Sequence, residues 1–316
     1  MKVTQHILEA NKTLASFEIL PPLKGNGIQA VYDIMDRLIE FNPPFINVTS
    51  HREEFVYKKR VSGYFEKTAI RKRPGTVAIC AAIMSKYKVD AVPHLICGGF
   101  TKQETENALI DLSFLGIQNV LALRGDAAKH EPRFIADPNG HSYAIELIQQ
   151  IVEMKDGKFL DDTMGAFHAD FCVGIAGYPE KHFEAPNLKI DLSYLKQKVQ
   201  QGADYIVTQM FFDNQTYYNF VKACRELDIN VPIIPGLKPL TKRSQLNLLP
   251  SMFKVDIPDL LADELRKCTN DADFRQVGID WLVEQSKDLI KNNAPCLHYY
   301  TMGDIATIGE VIQRSM

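Results

Sequence analysis

A glutamate stands inside a short apolar strand pattern near the start of the chain. Residues 16–22 read SFEILPP, so the run that contains Glu18 is stopped at once by two prolines. Its neighbours are types that proteins bury, and a buried carboxyl group is costly unless it is paired or has a task. Glu18 is therefore a candidate for proton transfer. The alternative is a capping or salt-bridged glutamate at a strand end.

Polar side chains also follow the other apolar runs, at the points where those runs stop. The residues at these points are Glu18, Thr49, His94, Arg124-Gly125-Asp126, Tyr178-Pro179-Glu180, Gln209, Lys238 and Tyr300. Each one alone is explained as a satisfied polar residue at the start of a loop. If the strands form a parallel barrel, however, their carboxyl ends meet at one rim, where the active sites of that fold lie. Among the carboxylates of this set, Glu18 and Asp126 could divide acid and electrostatic roles.

Short apolar or β-branched runs predict eight strands, and helical periodicity predicts nine helices. The predicted strands are 14–20, 45–49, 89–97, 119–123, 171–176, 205–212, 231–237 and 296–301. The predicted helices are 28–41, 53–67, 102–115, 142–154, 192–201, 215–227, 242–253, 272–292 and 305–313. Residues 101–104 read TKQE, a capping box in which Thr101 and Glu104 satisfy each other's backbone amides.

Strands and helices alternate along the chain. Such alternation, with nearly continuous apolar strands, predicts parallel pairing in a sheet buried on both faces. Eight units without a break in composition fit one closed (β/α)8 TIM barrel, and 316 residues leave room for extra helices. We therefore expect residues 1–316 to form a single α/β domain.

An open doubly wound sheet is the alternative fold. Residues 25–30 read GNGIQA and match the G-x-G-x-x-A form of a dinucleotide-binding turn. Two observations argue against this fold. Residues 21–24 separate the glycines from the strand, and the second strand ends at Thr49, where an acid should meet the ribose. We therefore interpret the glycines as part of a loop into the first helix.

Charge and composition argue against several classes of protein. The net charge is −3, whereas nucleic-acid binding needs a concentrated cationic face. The basic runs 58–60 and 71–73 flank a predicted helix and are interpreted as solvated faces without a function. The start of the chain has no signal-peptide core, and no apolar run approaches the ~20 residues of a membrane span. We expect a cytoplasmic protein.

The cysteines and histidines predict neither disulfides nor a metal site. The six cysteines show no paired spacing and lie in apolar patterns, which is typical of a reducing compartment. His94 and Cys97 form an isolated H-x-x-C pair, but zinc requires three or four ligands and no second pair follows.

Seven motifs occur along the chain in an order that points to a known family. They are FEILPP at 17–22, PHL at 93–95, LRGD at 123–126, AGYPE at 176–180, TQMFFD at 208–213, IPG at 234–236 and HYYT at 298–301. Together they resemble the methylenetetrahydrofolate reductase family, and the resemblance covers nearly the whole chain.

The resemblance implies a barrel that holds FAD, accepts hydride from NAD(P)H and reduces 5,10-methylenetetrahydrofolate to 5-methyltetrahydrofolate, in one-carbon metabolism and methionine supply. Glu18 would be the general acid that helps protonate N10 as the imidazolidine ring opens to an iminium cation. Asp126 would favour that cation by its charge. Gln209 would contact both pterin and nicotinamide from one face of the flavin, so the two substrates would take turns in a ping-pong mechanism.

The same resemblance implies the remaining contacts. The expected FAD contacts are Thr49, His94, Arg124, Gly125, Asp126, Tyr143, Ala144, Tyr178, His182, Asp191 and Lys198. The expected substrate contacts are Asp126, Gln209, Gln245 and Tyr300. A homo-oligomer is also expected, since such barrels often associate through their outer helices. The sequence leaves open whether NADH, NADPH or a partner protein donates the electrons.

The chain departs from the family pattern in two places. Residues 301–304 read TMGD where many members carry TLNR, so Asp304 stands in place of a cation. A contact to the anionic tail of the folate is then either lost or supplied by another residue, for which Lys238 and Arg243 are the candidates. The chain also ends soon after its last predicted helix, so we expect no domain that senses S-adenosylmethionine.

Two other functions fit parts of the pattern. A cofactor-free hydrolase or lyase would use Glu18 and Asp126 as a carboxylate pair and would not need Gln209. A barrel that only binds folate or nucleotide would not need a proton donor. Flavin absorption by the purified protein separates these alternatives from the reductase.

Overall fold

The computed structural model describes residues 1–128, 131–161, 163 and 168–316. Its strands are β1 (Leu14–Ile19), β2 (Phe45–Val48), β3 (Glu54–Lys59), β4 (Phe65–Ile70), β5 (Asp90–Ile96), β6 (Asn119–Leu123), β7 (Cys172–Gly177), β8 (Tyr205–Met210), β9 (Ile233–Leu237) and β10 (Cys296–Tyr300). Its helices are α1 (Val3–Glu9), α2 (Gln29–Leu38), α3 (Thr76–Tyr87), α4 (Lys102–Phe114), α5 (Ala144–Lys155), α6 (Leu188–Gln200), α7 (Asn214–Glu226), α8 (Gln245–Phe253), α9 (Asp259–Lys267), α10 (Asp271–Lys291) and α11 (Ile305–Ser315), with a 3-10 turn at Ile39–Phe41.

Eight of these strands close into a parallel barrel, which confirms the predicted fold. The spatial order is β1-β10-β9-β8-β7-β6-β5-β2, and β2 closes the ring by pairing with β1. All eight predicted strands are present, and β6 has the predicted bounds. The capping box at the start of α4 is also confirmed, since the Thr101 and Glu104 side chains each accept the other's backbone N–H.

The helix predicted over 53–67 is wrong. Strands β3 and β4 pair with each other in antiparallel register and form a hairpin outside the barrel. The basic runs 58–60 and 71–73 therefore belong to this hairpin and to the segment after it, not to the ends of a helix. Helices α1, α3 and α9 were not predicted. In α3 the sequence TVAICAAIMSKY is apolar on most sides, so it gives no helical period.

Strand alternation sorts the interior of the barrel into layers. Every second residue of a barrel strand points inward. At the amino ends of the strands the inward layer is apolar: Phe45, Val92, Leu121, Cys172, Tyr205, Ile234 and Cys296 pack together with Val3 of α1. Two residues further along, the inward positions of the neighbouring strands β10, β1, β2 and β5 are polar, with Ser16, Asn47, His94 and His298 all buried. The next inward positions form the rim that contains Glu18.

Gly236 is required for this inner packing. A Cβ atom at this position would lie 2.1 Å from the carbonyl oxygen of Thr208 and 2.6 Å from the Tyr300 ring. The absence of a side chain lets the Gly236 N–H donate to Thr208 Oγ1 at 2.9 Å. It also lets the Tyr300 hydroxyl donate to the Thr208 carbonyl at 2.6 Å. Gly236 therefore fixes the position of a tyrosine at the rim.

We expect Gly236→Ala to lower the free energy of unfolding by about 1–3 kcal/mol, because backbone must move to admit the methyl group. Urea denaturation monitored by circular dichroism measures the change. Gly27→Ala is the matched control, since a Cβ there meets no atom within 4 Å. Equal stability of the two variants would show that the Thr208 and Tyr300 contacts do not constrain the barrel.

Candidate active site

Glu18 lies at the carboxyl end of β1, between β10 and β2. Its side chain is 19% exposed, and burial raises its pKa from 4.5 to about 8. The Glu18 backbone is fixed by Thr301, whose hydroxyl donates to the Glu18 carbonyl at 2.7 Å. At neutral pH the Glu18 carboxyl group therefore holds its proton, which is the state that a general acid requires.

His94 faces the Glu18 carboxyl group from β5. Its Nε2 lies 3.6 Å from Glu18 Oε2, and its ring is buried. Burial lowers the pKa of His94 to about 3, and nearby His298 and His51 contribute to the shift. The pair therefore consists of a protonated acid and a neutral imidazole at neutral pH, although the distance alone would suggest an ion pair. At neutral pH the dissociable proton of this pair is therefore on the Glu18 carboxyl group.

The layer beneath Glu18 consists of polar side chains that contact one another. Asn47 Nδ2 lies 3.4 Å from His94 Nε2, and Ser16 Oγ lies 2.9 Å from His298 Nδ1. The Oδ1 atom of Asn47 is buried without a hydrogen-bond partner among the described residues. An unpaired acceptor at this depth is costly and favours a ligand that donates a hydrogen bond.

Tyr300 and Tyr178 connect Glu18 to a second group of residues. Burial raises the pKa of Tyr300 well above its ordinary value, with smaller contributions from Glu18 and Tyr178. Burial also raises the pKa of Tyr178 to about 12, and Asp126 and Asp191 add to that shift. Tyr178 therefore lies between the acid at the rim and the carboxylates that follow β6 and β7.

Arg124 is the centre of the second group. Its Nη1 donates to Glu184 Oε2 at 2.5 Å, and its guanidinium lies 5.1 Å from the Phe134 ring centroid. Burial alone would lower the pKa of Arg124, but Glu184, Tyr178 and Tyr143 raise it. Arg124 is a permanent cation at one side of the barrel mouth, where it can bind an anionic group.

His182, Asp191 and Lys198 lie beside Arg124. The Tyr178 and His182 rings meet edge to face at 4.6 Å, and the His182 backbone N–H donates to Asp191 Oδ2 at 2.8 Å. Burial lowers the pKa of Lys198, and the charge of Asp191 opposes this shift. Arg124, His182 and Lys198 together offer donors suited to a phosphate-bearing group.

Thr49, Gly125, Asp126, Tyr143 and Ala144 complete the predicted FAD contacts. Thr49 Oγ1 lies 3.0 Å from His51 Nε2, above Asn47 on the same face of the strand. Gly125 has φ +82° and packs on Ile96, so a side chain here would be strained. Asp126 is exposed, and Tyr143 and Ala144 stand at the exposed start of α5. Of these five, Tyr143 is near enough to Arg124 to raise its pKa, and Asp126 is near enough to Tyr178 to raise the pKa of that residue.

Gln209 lies at the rim on β8 and lines a small cavity with Tyr178, Glu180, Met210 and Phe253. Its amide oxygen accepts the N–H of Met210 at 2.9 Å. Burial raises the pKa of Glu180 to about 7, opposed by a hydrogen bond of 2.9 Å from the Asp256 N–H. Glu180 ties the loop before α9 to the rim.

The Gln245 side chain binds the backbone of the loop that precedes α8. Its side-chain oxygen accepts the N–H groups of Thr241 and Lys242, at 2.7 and 2.9 Å. Within the described residues it shares no hydrogen bond with Gln209, Tyr300 or Glu18. The predicted substrate contact at Gln245 therefore requires its amide nitrogen or a rearranged loop.

The departure at residues 301–304 has a local structural cause. Asp304 caps α11, because its carboxylate accepts the N–H of Thr307 at 3.2 Å and the Thr307 hydroxyl at 2.7 Å. Arg243 is also engaged, since it donates to the carbonyl of Cys268 at 2.6 Å. Lys238 is buried at the end of β9, where burial lowers its pKa and Asp304 opposes the shift. Of the two candidate cations Lys238 and Arg243, Lys238 is the buried one.

Sequence reasoning missed several residues of the site. Ser16, Asn47 and His298 precede the predicted positions Glu18, Thr49 and Tyr300 by two residues, so each pair shares one face of its strand. This spacing was a usable signal. Glu184 was missed because its partner Arg124 is 60 residues away in sequence.

No cluster of three metal-ligating side chains occurs in the described part of the chain. None of the described helices is long and apolar enough to cross a membrane.

A family model described as methylenetetrahydrofolate reductase matches residues 2–316. The 5,10-methylenetetrahydrofolate reductase of Escherichia coli is 31% identical over 288 residues, which cover 91% of this chain and 85% of the relative. The chain belongs to the methylenetetrahydrofolate reductase family. It spans about half the length of plant relatives such as methylenetetrahydrofolate reductase (NADH) 1 of Arabidopsis thaliana, which is 32% identical over 323 residues, 98% of this chain and 50% of the relative.

Solved structures support the fold of this family member. An uncharacterised protein from Clostridium thermocellum that binds two copies of 5-methyl-5,6,7,8-tetrahydrofolic acid superimposes with a TM-score of 0.59. The match covers 98% of both chains at 14% sequence identity. The likeness is one of fold.

The raised pKa of Glu18 predicts a pH-dependent effect of its replacement on stability. The folded pKa of about 8 lies above the unfolded value of 4.5, so protonation favours the folded state and this contribution is lost as the pH rises from 4.5 to 8. Glu18→Gln removes the ionisation. Thermal melts should therefore show that this variant becomes more stable relative to the native chain between pH 5 and pH 8.5.

Glu9→Gln, the same change at an exposed residue at the end of α1, is the control for loss of one carboxylate. If the difference in thermal stability between the native chain and Glu18→Gln stays constant with pH, the Glu18 carboxyl group is not desolvated.

Proposed function

We propose that this chain is an FAD-dependent reductase that converts 5,10-methylenetetrahydrofolate to 5-methyltetrahydrofolate with NAD(P)H as hydride donor. Family membership supports the reaction and favours it over a carboxylate-pair hydrolase or a binding barrel. The observation that carries the proposal is the Glu18 carboxyl group, buried at the rim with a pKa of about 8 and thus protonated at neutral pH. A barrel that only bound its ligand would not need this stored proton.

The residues around Arg124 fit FAD. Arg124 and the buried Lys198 suit a diphosphate, and the edge-to-face rings of Tyr178 and His182 suit an adjacent aromatic or ribose group. The unpaired Asn47 Oδ1 below Thr49 suits a ring N–H. FAD would supply hydride-transfer chemistry at the barrel mouth when bound. Asp126, Gly125, Tyr143, Ala144 and Asp191 complete this proposed site.

Glu18 is proposed to donate its proton to N10 of the folate as the imidazolidine ring opens. The neutral His94 at 3.6 Å does not compete for this proton, because burial holds its pKa near 3. Tyr300 is held by its hydrogen bond to the Thr208 carbonyl and forms a fixed wall beside Glu18. The desolvated rim keeps the acid protonated until a base is presented to it.

Asp126 and Gln209 are proposed to act on the charge and position of the substrates. The exposed Asp126 carboxylate at the mouth would stabilise the iminium cation that accepts hydride. Gln209 would contact pterin and nicotinamide in turn, which implies ping-pong kinetics. Contacts from Gln245 and Tyr300 complete the proposed substrate site. We also propose a cytoplasmic homo-oligomer, with NADH or NADPH as the hydride donor.

The proposal is tested by adding FAD to the purified chain and measuring its visible spectrum. Bound flavin should lose its visible absorbance with NAD(P)H under anaerobic conditions and recover it with 5,10-methylenetetrahydrofolate. Mass spectrometry should then detect 5-methyltetrahydrofolate. A chain that binds no flavin, or that reoxidises without forming the methyl product, would contradict the proposed function.

We expect Glu18→Gln to slow the folate-dependent step by a factor on the order of 10² or more, because the variant cannot donate a proton. Reduction by NAD(P)H should stay within about twofold, since that step needs no acid. Stopped-flow absorbance under anaerobic conditions measures both steps, with Glu9→Gln as the control. Unchanged folate-dependent rates in Glu18→Gln would remove Glu18 from its role.

We expect Gln209→Leu to weaken both half-reactions by about fivefold, the equivalent of the ~1 kcal/mol that one hydrogen bond contributes. The same substitution at Gln215, exposed on α7, is the matched control. Steady-state rates across both substrates should give parallel double-reciprocal lines in the native chain. Intersecting lines, or a defect toward one substrate only, would show that the substrates use separate sites.

A further inference from the structure

The hairpin of β3 and β4 leaves the barrel from its catalytic rim. Its base is anchored there by two contacts, Arg52 Nη2 to Glu131 Oε2 at 2.8 Å and Arg73 to the carbonyl of Pro21. Lys72 pairs with Glu54 across the base of the hairpin itself. In the described structure the two strands pair only with each other and join no larger sheet. A two-stranded hairpin is marginally stable alone in water, so its outer face is expected to have a partner.

One face of the hairpin is aromatic and cationic. The register pairs Phe55 with Ala69, Tyr57 with Lys67 and Lys59 with Phe65, so these six residues share a face that includes no acid. Phe55, Tyr57 and Phe65 are 44%, 65% and 67% exposed. Within the face, Lys67 Nζ lies 3.8 Å from the Phe55 ring centroid. Contiguous exposed aromatic side chains mark an interaction surface.

The charge of the hairpin is opposite to that of the remaining chain. Residues 54–70, from the start of β3 to the end of β4, contain four Lys or Arg and two Glu, a net charge of +2. The remainder contains 32 Lys or Arg and 37 Asp or Glu, a net charge of −5, which together give the −3 of the whole chain. The body of the protein is thus electrostatically complementary to its own hairpin.

We propose that the β3–β4 hairpin is an arm that docks on the acidic body of a second copy of this chain. The tip of the arm is open to solvent, since Val61 at its turn is fully exposed. Two arms do not suit each other face to face, because Lys59 and Lys67 would meet the same lysines. A two-fold axis would instead provide two identical contacts between arm and body.

The body carries a surface that matches the arm in chemistry. Leu248 and Met252 of α8 and Leu260 of α9 are exposed beside the exposed carboxylates Asp256 and Asp259. Apolar side chains could receive the three aromatic rings, while the carboxylates could pair with the lysines. The arm of one copy would lie against α8 and α9 of the other.

Sedimentation velocity of the full chain, with FAD added, tests the proposal over a range of protein and salt concentrations. The native chain should dimerise, and raising the salt from about 50 mM to 500 mM should weaken association by about tenfold or more. Tyr57→Ser with Phe65→Ser should weaken it similarly. The double variant Lys59→Glu with Lys67→Glu keeps the aromatic rings and should also weaken association by about tenfold or more. Val61→Ser is the control, because Val61 lies in the turn and not on the aromatic face. It should change the association constant less than about twofold.

A photo-crosslinking residue placed at Tyr57 in a mixture of isotopically light and heavy chains locates the contact. Cross-links between a light and a heavy chain support the proposal, whereas cross-links confined to one chain overturn it. A native chain that stays monomeric up to about 100 µM, or variants that dimerise as well as the control, also overturn it. If a monomeric native chain binds single-stranded RNA and both double variants lose this binding, the arm is a nucleic-acid-binding surface, and the proposal is overturned.

Discussion

The desolvation of the Glu18 carboxyl group is the constraint on which the chemistry of the site depends. A carboxyl group in water is ionised at neutral pH, and here burial raises the pKa to about 8. The same burial lowers the pKa of His94 to about 3, so the imidazole 3.6 Å away stays neutral and does not take the proton. Burial therefore keeps Glu18 protonated and His94 neutral.

The barrel creates this environment by its geometry. On β10, β1, β2 and β5 the inward positions change from apolar at the amino ends to polar further along, and Asn47, His94 and His298 form the layer below Glu18. The glycine at position 236 lets Tyr300 reach across to the Thr208 carbonyl. On the other side of Tyr178, the cations around Arg124 form a region of opposite character. In the proposed function, the phosphates of FAD bind among these cations, and the proton donor Glu18 lies at the rim.

The sequence predicted the elements whose pattern is enforced by burial. The strand Asn119–Leu123 is apolar because the barrel covers both of its faces, so its bounds were predicted correctly. The hairpin Glu54–Lys59 and Phe65–Ile70 was taken for a helix because no core enforces a regular alternation on it. Helix α3 gave no signal because it is apolar on most sides.

The site was predictable in its strand-end residues and less so in their partners. Glu18, His94, Arg124 and Tyr178 follow apolar runs, and the fold requires such residues to meet at one rim. The contact of Arg124 with Glu184, however, depends on the path of the loop after β7, which no local pattern encodes. The extent of the Glu18 shift likewise depends on residues from other strands, far away in sequence.

A direct titration of the Glu18 carboxyl group is the measurement that matters most. Carbon-13 NMR of chains labelled at the glutamate carboxyl carbons, with the signal assigned by its loss in Glu18→Gln, follows this group alone. The signal should titrate at about 8, well above the ordinary 4.5, so that the group is protonated at neutral pH. A midpoint near 4.5 would mean that Glu18 is ionised there, which would contradict its role as the stored proton of the reaction.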